Sequence, residues 1–112
     1  MQRPISTKPR VIKDFEKLDE IIQEQIKLAY PEGFLSHLIK YQNKEGKMVS
    51  ALPFETDEKS YLVRMSRQEA EILIEEDDDY DEDGNLKNRV KDEYEEKYSE
   101  LDYMSDYLQE EG

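Results

Sequence analysis

The 112-residue chain contains no cysteine, one histidine, four glycines and four prolines. Without cysteine there is no disulfide, no zinc–thiolate site and no thiol nucleophile. The scattered glycines form no phosphate-cradling loop. His37, in a stretch that reads as a strand, has no serine or cysteine pattern around it that suggests nucleophilic chemistry, so it reads as structural. Two carboxylates at a working separation hydrolyse glycosides in some enzymes. With 29 acidic residues and no pocket-forming pattern, however, the sequence selects no such pair. The expectation is therefore a protein that is not an enzyme. No apolar run approaches the roughly 18 residues of a membrane span. The N-terminus, MQRPISTKPRVI, lacks the apolar core of a secretory signal, which points to a cytoplasmic location.

Positive charge is outnumbered. Sixteen Lys and Arg face 29 Asp and Glu, for a net charge of −13. The imbalance is confined to one half: residues 1–56 carry a net +1 and residues 57–112 a net −14. Such a field repels nucleic-acid phosphates and anionic lipid heads, so neither direct nucleic-acid binding nor membrane binding is expected. Apolar residues divide in the opposite sense. Of 25 Leu, Ile, Val and Phe residues, 21 precede residue 75. The core is therefore expected almost wholly from the first two thirds of a single small domain.

Pro4 and Pro9 mark residues 1–13 as a basic extended arm. Residues 14–30, DFEKLDEIIQEQIKLAY, predict an amphipathic helix capped by Asp14 and stopped at Pro31. FLSHLIKYQ, MVSALPFE and SYLVRM predict strands joined by the polar turns NKEGK and TDEK. Pro53 makes the middle strand irregular or open on one side. Ser66 with Glu69 is a capping box, opening a short helix to about residue 76. Leu86, Val90, Tyr94, Tyr98, Leu101, Met104 and Leu108 recur at helical steps and predict a long acidic helix over 85–109 that frays at its end. The expected fold is α+β: an N-terminal helix on a three-stranded antiparallel meander, then the capped helix and the C-terminal helix.

The stretch EEDDDYDEDGN, from Glu75 to Asn85, holds eight acids in nine positions. Asp79, Asp81, Asp83 and Gly84 match positions 1, 3, 5 and 6 of an EF-hand loop, the oxygen donors that calcium requires. The match breaks at position 12, where the bidentate glutamate is replaced by Val90, and the residues preceding Asp79 are acidic rather than apolar. The other reading is an electrostatic surface. Glu75, Glu76, Asp77, Asp78, Asp79, Asp81, Glu82 and Asp83 offer carboxylates to a basic protein partner, with Tyr98, Tyr103 and Tyr107 as aromatic anchors. Residues 86–98 are expected on the domain's own sheet, with residues 99–112 as the interacting end.

The run RVIKDFEKLDEIIQEQIKLAYPEGF, followed by KEGKMVSALPFETDEKSYLVRMS and the acidic stretch, resembles a family of short acidic bacterial proteins of unknown function. The resemblance covers about residues 10–83 and implies a bacterial cytoplasmic protein without implying an activity. The helix–YP–hairpin layout is also similar to PepSY-like domains. Those are usually exported, so that family is not adopted. The resulting expectation is a non-enzymatic acidic binding or regulatory module for a basic protein, a nucleic-acid mimic being one form of it. A calcium-binding loop and a structural domain whose charge serves solubility are the alternatives.

Overall fold

The computed structural model describes the backbone of residues 8–111 and the side chains of residues 8–99. The element order is β1 (Arg10–Asp14), α1 (Glu20–Ala29), β2 (Ile39–Gln42), β3 (Met48–Glu55), β4 (Ser60–Arg64), α2 (Arg67–Glu75) and α3 (Asn88–Glu111), with 3-10 turns at Phe15–Lys17 and Leu35–His37. The strands form one four-stranded mixed sheet in the order β1-β4-β3-β2. This corrects the expected three-stranded antiparallel meander. The antiparallel β2–β3–β4 ladder is present, but β1 adds to the free edge of β4 in parallel, Arg10 opposite Ser60 and Asp14 opposite Arg64.

That extra strand takes the end of the expected arm and the start of the expected helix. Asp14 does not cap a helix; its carboxylate lies 3.1 Å from Arg64 Nε in the neighbouring strand. The chain then makes a 3-10 turn that buries Phe15. Gln23 Nε2 donates to the Phe15 and Leu18 carbonyls at 2.9 and 3.1 Å, tying the turn to α1. The long helix expected from residue 14 is therefore ten residues long. His37 lies in a 3-10 turn rather than a strand, its ring 4.8 Å from that of Tyr30. Pro53 sits in the central strand without disrupting it. β2 begins at Ile39, opposite Ala51, so no ladder bond is asked of Pro53 on that side. Its carbonyl instead accepts the Tyr30 hydroxyl.

One face of the sheet is covered. Val11, Tyr61, Val63, Leu52 and Phe54 point toward Ile22 and Ile26 of α1, Ala70 and Leu73 of α2, and Phe34. Side chains alternate across a strand, so Ile12, Leu62, Pro53, Ile39 and Tyr41 share the opposite face. None of these joins the buried core, and Ile12 and Ile39 are 42% and 43% exposed.

The core does not stop at Ile74. Tyr80, Leu86 and Val90 form a second buried cluster against Leu28 of α1, Ile74 and Tyr94. The expectation that almost all of the core precedes residue 75 is corrected on this point, and Leu86, Val90 and Tyr94 of the stripe pack against α1. Removing buried atoms costs transfer energy plus a cavity term. Leu52→Ala and Leu86→Ala should each destabilise the fold by about 2–4 kcal/mol in urea unfolding. Ile21→Ala, at a half-exposed position, should change stability by no more than about 0.5 kcal/mol. A neutral Leu86→Ala would mean that the acidic segment is not part of the folded body.

Candidate functional site

The acidic stretch is a structured loop rather than an open tether. Asp77 Oδ1 accepts the Asp79 amide at 2.9 Å, and Asp81 Oδ1 accepts the amides of Asp83 and Asn85 at 2.8 and 3.0 Å. Gly84 closes the turn at φ +83°, and its amide reaches the Asp81 carbonyl at 3.0 Å. The Leu86 amide then donates to the Pro31 carbonyl at 2.7 Å, docking the loop on the turn that ends α1. Tyr80 plugs the centre of the loop. It is 5% exposed, its hydroxyl donates to the Tyr30 carbonyl at 3.1 Å, and its ring lies edge-on to Phe34. Burial, with Asp77 and Asp79 nearby, pushes the Tyr80 hydroxyl well above the usual phenol range.

Lys27 holds the loop in place. Its ammonium lies 2.6 Å from Asp77 Oδ2 and 2.9 Å from Asp79 Oδ2, with only 11% of the side chain exposed. The Tyr94 hydroxyl donates to the same Asp79 oxygen at 2.7 Å. Burial alone would raise the Asp79 carboxyl; the Tyr94 and Lys27 hydrogen bonds and the lysine charge outweigh it and hold it below the ordinary range. Burial would likewise lower the Lys27 ammonium, and the two aspartates more than reverse it. Burial, then Asp79, pushes Tyr94 far above the usual phenol range.

One turn earlier on α1, Glu24 repeats the arrangement. It is the one buried charged side chain among the described residues. It accepts a hydrogen bond from the Tyr98 hydroxyl and meets Lys97 Nζ at 2.9 Å. Lys97 also lies over the Tyr98 ring, 5.3 Å from its centroid. Two tyrosines four residues apart on α3 thus donate to two carboxylates, one from the loop and one from α1. Tyr98, expected as a partner anchor, is 4% exposed and serves this internal contact. Tyr103 and Tyr107 lie outside the residues whose side chains are described.

The eight acids of the stretch therefore separate into two groups. Asp77 and Asp79 are spent internally on Lys27. Glu75, Glu76, Asp78, Asp81, Glu82 and Asp83 are exposed, and none has an ion-pair partner among the described residues. The three aspartates of the EF-hand match do not act together: Asp79 faces Lys27 and Tyr94, while Asp81 binds backbone amides. Among the described residues, no group of three or more His, Asp or Glu is placed to hold a metal ion.

A groove of about 580 Å³ runs between α2, the turn after α1 and the loop. Glu32, Glu71, Glu75, Glu82 and Asp83 ring it, Arg67 is its one cation, and Leu35 and Ile74 contribute its apolar wall. Glu32 and Glu71 escaped the sequence reading because they lie outside the acidic run. The four-residue step from Glu71 to Glu75 along α2 was the available signal. Glu24 and Lys27 were also missed, since both sat on what read as the solvated face of a longer helix.

The stability contributed by Asp79 should follow its lowered pKa. It is present above the unfolded value of about 3.9 and lost as pH falls through the lower folded value. Asp79→Asn should therefore reduce stability at pH 7 and flatten the loss of stability below about pH 4. Urea unfolding at a series of pH values from 7 to 2.5 checks this; an acid limb unchanged from wild type contradicts it.

Among the described residues no helix is long and apolar enough to cross a membrane. Comparison with known proteins finds no matching family model, no matching curated protein and no matching solved structure.

Proposed function

We propose that the protein is a non-enzymatic binding module whose acidic groove receives a basic segment of a partner protein. The observation that carries this reading is the groove itself. Five carboxylates surround it without an ion-pair partner among the described residues, and a short apolar wall separates them. The placement of Glu75 and Glu76 adds to it. They end α2, whose last turn carries no basic residue, so two acids crowd the negative end of the helix dipole. A cationic segment in the groove relieves that repulsion. Within this reading Glu75, Glu82 and Asp83 of the acidic run contact the partner directly, with Glu32 and Glu71 beside them. Glu76, Asp78 and Asp81 contribute long-range attraction, which speeds association and weakens with salt.

A fluorescein-labelled peptide of eight Lys and Arg with one central Leu provides the probe, followed by fluorescence anisotropy. Glu71→Gln/Glu75→Gln/Glu82→Gln should weaken binding at least tenfold at about 0.15 M salt, where the Debye length is about 8 Å. The control Asp92→Asn/Glu95→Gln/Glu96→Gln removes equal charge from exposed positions of α3 and should leave binding within twofold. Equal weakening by both variants would reduce the effect to net charge and overturn the groove as the site.

A further inference from the structure

We propose that the open face of the sheet is a second binding site, and that it takes an acidic peptide segment carrying an apolar side chain. The covered face is occupied by helices, but among the described residues the opposite face presents Ile12, Leu62, Pro53, Ile39 and Tyr41 to no element of the core. The turn after β2 is held by Asn43 Oδ1, which accepts the amides of Glu45 and Lys47 at 2.9 and 3.0 Å. The tip of this hairpin and strand β1 line one hollow of about 420 Å³. That volume lies within the range of ligand pockets, roughly 300–1,000 Å³, and accommodates one or two side chains.

Charge selects the occupant. Arg10, Arg64 and Lys44 line the hollow against a single acid, Glu45. Arg10 and Lys44 are exposed and have no partner among the described residues. Arg64 Nε lies 3.1 Å from Asp14 Oδ1, and half of its side chain stays exposed, where its guanidinium can also meet a carboxylate. Ile12 and Tyr41 supply the apolar and aromatic wall for a neighbouring side chain. A second copy joined through the same face would set these cations against their own counterparts, and each chain already carries −13. An acidic segment meets neither objection. The acidic groove shares no lining residue with this hollow, and this inference does not rest on the reading of the groove.

The test uses the full chain and a fluorescein-labelled ten-residue peptide of alternating Glu and Leu, with a ten-residue polyglutamate as the purely ionic comparison, at about 0.15 M salt. Wild type should bind the Glu/Leu peptide at least fivefold more tightly than polyglutamate. Arg10→Glu/Lys44→Glu should weaken it tenfold or more, whereas Lys87→Glu/Arg89→Glu, with the same charge change at the start of α3, should weaken it no more than twofold. Amide shifts in a titration followed by NMR should fall in β1, β4 and residues 41–45, not in residues 75–83. Three outcomes overturn the proposal: no saturable binding below 1 mM, equal weakening by both variants, or sedimentation showing a concentration-dependent dimer that Arg10→Glu/Lys44→Glu abolishes. The last would assign the face to a second copy.

Discussion

A single lysine joins the two unlike halves of this protein. The body is nearly neutral and carries most of the apolar residues; the segment that follows it is strongly acidic. Lys27 projects from α1 into that segment and meets Asp77 and Asp79 together. Without it, closing the loop would bring two partly buried carboxylates toward Glu24 and each other, which desolvation and repulsion both oppose. With it, Tyr80 can enter the interior and Leu86 can dock on the turn after α1. The second contact, Glu24 with Lys97 and Tyr98, extends the junction along α3. Hydrophobic burial draws these elements together, and the polar pairs fix which residues face each other.

This junction determines what the remaining acids are free to do. Asp77 and Asp79 fasten the loop to α1, so the other carboxylates stand at defined positions on it. A preorganised array loses less conformational entropy on binding than a flexible one. Charge is then divided by position. The helical side bears the acidic groove; the open side of the sheet bears a small cationic hollow. A chain with a net charge of −13 is thus locally bipolar, and its total charge alone describes neither surface.

The parts legible in the sequence were those built from local signals. The Ser66–Glu69 capping box forms with both reciprocal bonds, at 3.0 and 2.8 Å. The runs MVSALPFE and SYLVRM, bounded by polar turns, became β3 and β4. The three- and four-residue steps after residue 85 became α3. What escaped was non-local. DFEKLDE has helical spacing, yet its first residue completes a strand because β4 offers an unpaired edge. Likewise, the composition of Glu75–Asp83 marked an electrostatic feature at once. Which of those acids face solvent depends on Lys27, a residue that no local pattern connects to them. The internal contact of Tyr98 is illegible locally for the same reason, since its partner Glu24 lies on a distant helix.

The parallel pairing of β1 with β4 also has a consequence for how the molecule comes into being. Arg10–Asp14 leaves the ribosome first among the strands, but its template, Ser60–Arg64, comes last. The antiparallel β2–β3–β4 ladder can zip from its short hairpins, whereas the first strand must wait through a long loop closure, the kind of contact that slows folding. The fourth member of the sheet is therefore the one whose registration carries the largest chain-closure cost.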